Sequence, residues 1–227
     1  MATTKTQRWV ILIILAATVI GTIGSFAVMI LATNNQNAEA EKKQKLMNEY
    51  QANVKAYQLK QEAQGDELSK QYYEAFRPYI DNVAAFDRDS VTALVTNDLV
   101  VGSGEEISDT TQFAAYYIGW NPKGKVFDQS IDVEKMKLKA PLYSNVGLEN
   151  GLVKASLIAG WKEGMKGMRI GGVREITIPS DKAYGETGQG DDIPANTPLK
   201  FIVMAIAPPA VIDPPQVPAE LYQGLGY

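Results

Sequence analysis

A chain of 227 residues with 45% apolar and 21% charged residues can bury one core-bearing domain plus accessory segments, and its composition excludes wholesale disorder. It contains no histidine and no cysteine, which removes disulfides, Cys/His zinc sites, thiol nucleophiles and histidine-based triads. A net charge of −4 gives no basic footprint for nucleic acid, and no residue pattern marks a metal or cofactor site.

Residues 1–9 are a short polar segment with Lys5 and Arg8. Residues 10–31 then run without a charge, which as a helix spans about 33 Å, enough to cross a bilayer core. A cleaved signal peptide is the rival reading, with Ala38-Glu39-Ala40 as its small-residue site. The apolar run is longer than a usual signal core, so an uncleaved transmembrane anchor into the lipid bilayer is preferred. Arg8 lies almost against the run, whereas no charge of either sign follows it until Glu39. The expectation is a single-pass cell-membrane protein with its N-terminus inside and its main domain outside.

Residues 32–90 read as a helical stalk and linker. Met47, Tyr50, Val54 and Tyr57 form one stripe at helical spacing among Lys, Gln, Asn and Glu. Gly65-Asp66 interrupts the pattern, with Asp66 expected as the N-cap of a second helix. Leu68, Tyr72 and Phe76 make a second stripe before Pro78. Each stripe packs on a neighbouring helix or on the domain. The alternative, self-association through a coiled coil, wants more clean heptads than this stretch supplies.

From residue 91 the texture changes to short strand-like runs and turns. The runs are 95–101, then Phe113, Ala115 and Tyr117 alternating on one face, then 126–128, reached through the turn Asn121-Pro122-Lys123-Gly124. Residues 129–155 look irregular. Leu157-Ile158-Ala159-Gly160-Trp161 opens a short helical turn in which a large indole sits between glycines. A strand over 173–179, the turn at Tyr184-Gly185, a Gly- and Asp-rich loop over 185–198 and a last strand over 199–207 follow. Residues 208–227 form a Pro-rich tail with too little apolar content for a core of its own. Several short strands around one short helix indicate an α+β domain with an antiparallel sheet.

Set in order, Tyr116-Tyr117-Ile118-Gly119, Gly124-Lys125-Val126-Phe127-Asp128-Gln129-Ser130, Leu157-Ile158-Ala159-Gly160-Trp161 with Gly164-Met165, Gly167-Met168 with Gly171-Gly172 and Arg174, Ile178-Pro179, Ala183-Tyr184-Gly185, Ile193-Pro194 and Leu199 with Phe201 and Val203 resemble the FKBP-type peptidyl-prolyl cis-trans isomerases. The resemblance covers residues 91–207, about half the chain. It implies a five-stranded antiparallel half-barrel sheet wrapped around the short helix that holds Trp161. It also implies X-Pro-containing polypeptides as partners. Such an enzyme needs no imidazole or thiol. The barrier of about 20 kcal/mol reflects the lost C–N double-bond character of the amide, and a dry aromatic pocket favours the twisted, less polar transition state.

Carried over, Trp161 is the pocket floor, Tyr117, Phe127 and Phe201 are walls, and Val203 stands behind them. Leu157 and Ile158 flank the entrance, with the Ile158 N–H on a substrate carbonyl. Tyr184 donates its hydroxyl to the substrate amide region, Ile193 closes the rim, and Asp128 accepts from Tyr117. The chain departs from the family where Tyr116 stands in place of a common His, where Gln189 and Asp192 make the rim loop more polar, and where residues are added between Asp128 and Trp161. Leu142 and Tyr143 are candidates for the family's further pocket aromatic. The acidic Asp192 motivates a second function, a non-catalytic module or chaperone that grips Pro-containing segments. A third is an assembly subunit that uses the stalk stripe as its interface.

Overall fold

The computed structural model describes residues 37–221. The expected anchor over 10–31 lies outside them, and among the described residues no helix is long and apolar enough to cross a membrane. Among the described residues, Ala63–Ala210 form one compact unit, while 37–62 and 211–221 belong to another. The larger unit therefore takes in the segment 63–90, which the sequence pattern assigns to the stalk.

Helix α1 runs unbroken from Asn37 to Phe76, 40 residues. The break expected at Gly65-Asp66 does not occur, and Asp66 is not an N-cap. A glycine inside a helix costs about 1 kcal/mol, and the contacts on either side outweigh it. Lys137 Nζ donates to Asp66 Oδ1 at 2.9 Å, the Leu138 N–H donates to Ser69 Oγ at 2.8 Å, and Gln64 Nε2 donates to the Ala210 carbonyl at 2.7 Å. In the other unit Met47, Tyr50, Val54 and Tyr57 are half-buried.

The strands are β1 (Val95–Val100), β2 (Ala114–Trp120), β3 (Val126–Gln129), β4 (Ile131–Asp132), β5 (Lys137–Leu138), β6 (Val173–Ile178) and β7 (Leu199–Ile206). Five of them form one antiparallel sheet in the order β1-β6-β7-β2-β3, with the short helix α2 (Ala159–Met165) against it. This is the α+β architecture expected from the sequence. Within 129–155, read as irregular, β4 and β5 pair as a small hairpin, followed by two 3-10 turns. The added residues are part of the core, because Leu148, Leu152 and Ala155 are buried in the same cluster as Trp161.

Side chains alternate across a strand, so each face of β2 must find its own cover. Phe113, Ala115 and Tyr117 face α2, as their spacing predicts. Ala114, Tyr116, Ile118 and Trp120 point to the opposite face, which is also buried, under Leu68, Tyr72 and Phe76 of α1 and the residues that follow. The second stripe of the helix thus packs on the domain. Tyr116 lies 6.1 Å from Tyr72 and 6.3 Å from Phe76, ring to ring. Its hydroxyl is buried without a hydrogen-bond partner, and burial, with Tyr72 adding to it, pushes its phenol pKa up.

One buried cation ties the far edge together. Arg174 on β6, 6% exposed, donates through Nε and Nη2 to both carboxylate oxygens of Asp98 on β1, at 2.6 and 2.9 Å. Its Nη1 donates to the carbonyls of Gly164 and Lys166, each at 2.9 Å, and so covers orphan acceptors at the end of α2. The Arg174 hydrogen bond holds the Asp98 carboxyl below its ordinary range, against an opposing effect of burial.

Candidate active site

The site begins with glycines that let two layers touch. A Cβ on Gly160 would lie 2.2 Å from Ile178 Cγ2, and one on Gly164 would lie 2.6 Å from Ile176 Cγ2. Placed four residues apart, they bring one flank of α2 down onto β6. The helix is capped by Ile158, whose carbonyl accepts from the N–H groups of Trp161 and Lys162. Trp161 is thereby lodged in the core, 3% exposed.

Three further rings meet around it. Tyr117 and Trp161 pack edge to face at 5.7 Å, Trp161 and Phe201 at 5.6 Å, and Phe201 and Phe127 at 5.6 Å. Such edge-on pairs are the favoured geometry for aromatic quadrupoles. Gly119 makes the arrangement possible. It sits opposite Phe201 across β2 and β7, and a Cβ there would lie 2.5 Å from Phe201 Cε1 and 2.8 Å from Phe127 Cζ.

Polar groups join the rings at one point. The Tyr117 hydroxyl donates to Asp128 Oδ2 at 2.5 Å, while the Gln129 N–H donates to Asp128 Oδ1 at 2.9 Å. On its other side Tyr117 is fixed through the backbone, its N–H donating to Ser130 Oγ and its carbonyl accepting from the Ser130 N–H. The half-buried carboxylate therefore has defined donors on both oxygens.

The fold brings the expected residues together. Trp161, Phe201, Val203 and Ile193 are buried in one cluster, and Tyr117, Phe127, Leu157, Ile158 and Tyr184 pack half-buried against it. Asp128 joins through Tyr117. Leu142 lies in the same cluster and pairs with Ala115 by two backbone hydrogen bonds, while half-buried Tyr143 packs against both cores.

The rim departs from a simple acidic loop. Asp192 is ion-paired with Lys125 at 2.5 Å, and Asn121 Nδ2 donates to the Asp192 carbonyl at 2.9 Å. Its charge is directed at the turn between β2 and β3. The Gln189 N–H donates to the Ile193 carbonyl at 2.6 Å, which closes a tight turn over Gly190. Sequence reasoning missed Asn121 and Arg88, whose side chains donate to backbone carbonyls, and the pairing of Lys125 with Asp192. Only the turn signature at 121–124 could have pointed to one of them.

Comparison with known proteins bears on the family of the chain. Residues 103–206 match the family model described as FKBP-type peptidyl-prolyl cis-trans isomerase. A protein of Neisseria meningitidis named FK506-binding protein is 36% identical over 49% of this chain and 92% of its own length. A probable FK506-binding protein of Corynebacterium glutamicum is 37% identical over 50% of this chain and 86% of its own. The crystal structure of a peptidyl-prolyl cis-trans isomerase from Pseudomonas syringae is 28% identical, covering 62% of this chain and 96% of that one, with a TM-score of 0.41. This chain belongs to the FKBP-type peptidyl-prolyl cis-trans isomerases.

Proposed function

We propose that the chain is a membrane-tethered prolyl isomerase that turns X-Pro bonds of exported proteins in the pocket built on Trp161. The observation that carries this reading is the convergence of Trp161, Tyr117, Phe127 and Phe201 around a Tyr117 hydroxyl held on Asp128. A proline ring on Trp161 leaves water behind. The planar amide loses more solvation there than the twisted transition state, which lacks amide resonance, so the barrier falls without proton transfer. Leu157, Ile158, Ile193 and Val203 complete the apolar walls, the Ile158 N–H holds a substrate carbonyl, and Tyr184 donates to the amide region. The pairing of Asp192 with Lys125 gives the rim charge a partner, which supports turnover over a module that only grips.

The tether rests on the uncharged run over 10–31, and its orientation on Arg8. Membrane fractionation and protease accessibility of the full chain test both. Recovery in the soluble fraction retires the anchor. The third reading, an assembly subunit, would use Met47, Tyr50, Val54 and Tyr57 as its interface, and sedimentation that finds only monomer retires it.

Activity is tested by protease-coupled isomerisation of X-Pro peptides. Trp161→Ala is expected to lower kcat/KM by about tenfold or more, since it removes the largest apolar surface of the pocket. Tyr184→Phe is expected to cost several-fold, about the worth of one hydrogen bond. A folded wild-type chain that gives no acceleration overturns the pocket assignment.

A further inference from the structure

Residues 83–90, between α1 and β1, are fastened to the domain at Ala84, Phe86 and Arg88. The Ala84 carbonyl accepts from Trp120 Nε1 at 3.0 Å, and the Phe86 N–H donates to the Pro122 carbonyl at 3.0 Å. Arg88 Nη2 donates to the carbonyls of Ala195 and Asn196, at 3.2 and 2.8 Å. The segment lies so close to the turn after β2 that a Cβ on Gly124 would stand 2.9 Å from the Ala85 nitrogen. It is a strap that crosses the β2–β3 turn and ends on the rim loop.

What Arg88 grips is mechanically connected to the pocket. Asn196 is left-handed, with φ 56°, a conformation that asparagine tolerates but does not favour. Its N–H donates to the Gly185 carbonyl at 2.7 Å, directly after Tyr184, whose own carbonyl accepts from the Gly188 N–H. Ile193 lies on the same loop, held through Gln189, Asn121 and Lys125. The walls Trp161, Phe201 and Val203 stand on regular elements and need no such help.

We infer that Arg88 is a positioning residue of the isomerase, and that the strap it ends presets the mouth formed by Tyr184 and Ile193. The inference rests on the pocket reading above. A mouth that samples open forms lowers apparent affinity by the fraction of time it is competent. Once substrate is bound, that cost has been met, and the aromatic walls set the rate of the bond rotation. Arg88 therefore acts on substrate capture and leaves turnover at saturation unchanged. Both bonds leave the one nitrogen Nη2, so a lysine, whose ammonium carries three donors on a shorter and more strongly hydrated head, keeps part of the grip.

The test uses the full chain with Arg88→Ala and Arg88→Lys. It measures kcat and KM on X-Pro peptides, thermal midpoint, and amide hydrogen exchange over 185–196. Arg88→Ala is expected to raise KM about threefold to tenfold, the worth of charge-assisted hydrogen bonds at an exposed site, with kcat held within about twofold. Exchange should quicken over 185–196 alone, the midpoint should stay, and Arg88→Lys should fall between. An unchanged KM with unchanged exchange overturns the inference. So does exchange that quickens throughout the sheet, because Arg88 would then support the fold at large. If the wild-type chain is inactive, the pocket reading fails, and the exchange comparison still decides whether Arg88 holds the rim.

Discussion

Phe76→Ala is expected to destabilise the catalytic unit by about 3–5 kcal/mol, the usual cost of deleting a fully buried aromatic side chain. Phe76 is the last residue of α1, 0% exposed, wedged between Tyr79 and Tyr116 on the side of the sheet away from Trp161. Against a typical total of about 5–15 kcal/mol, a loss of that size is a large share of the domain's stability. The control is Leu59→Ala, at a 56% exposed position of the same helix, where a change within about 0.5 kcal/mol is expected. Urea denaturation of the full chain reads both. Equal, small effects would show that the end of the helix lies on the sheet without supporting it. By the same reasoning, a chain cut at residue 91 would bare Ala114, Tyr116 and Ile118 to water, and it is expected to aggregate or unfold.

The second large effect belongs to Arg174→Met, with an expected cost of about 3 kcal/mol at neutral pH. The substitution keeps the apolar stem and removes the head group. The Gly164 carbonyl then loses its partner in a buried position, and Asp98 loses both of its donors. Most of the cost comes from the Gly164 carbonyl, left buried without this donor, since the exposed Asp98 carboxylate regains water and loses less. The dependence on acid follows from the sign of the Asp98 shift. Its folded pKa is depressed, so the stability it contributes is present above the unfolded value of about 3.9 and is lost as pH falls through the lower, folded value. The difference between wild type and Arg174→Met should therefore hold from neutral pH to about 5 and shrink below about 4. A difference that stays constant down to pH 2 would mean that the helix carbonyls, not Asp98, account for it.

Much of the candidate site was legible because its residues are punctuated by shape. Gly160 and Gly164 bracket Trp161, and Gly119 follows Tyr117 at a fixed distance, so the demand for close approach is written into the chain. The short helix, the strand runs and the turn at 121–124 could be read for the same reason. The destination of the stripe Leu68, Tyr72 and Phe76 could not, since its partners lie about forty residues away on a strand that was read by one face. A signal was present. Residues 114–120 read Ala-Ala-Tyr-Tyr-Ile-Gly-Trp with no charge on either face, as a strand covered on both sides must. The continuous helix was hidden for a different reason, because Gly65-Asp66 looks like a stop until Lys137 and Leu138 are brought beside it. Arg88 offered nothing to read. It lies between two aspartates and binds carbonyls, which every residue possesses.

Gly119 sets a limit on how such an enzyme can diversify. Two pocket walls rest on its bare backbone, so any side chain there displaces Phe201 and Phe127 together, and Gly160 is closed to change for a like reason. The interior is a keyhole whose outline cannot be recut one residue at a time. Descendants of this chain that come to favour different prolines would have to alter the mouth, residues 185–197 and the strap laid against them, where Gln189 and Asp192 already stand in place of more usual residues.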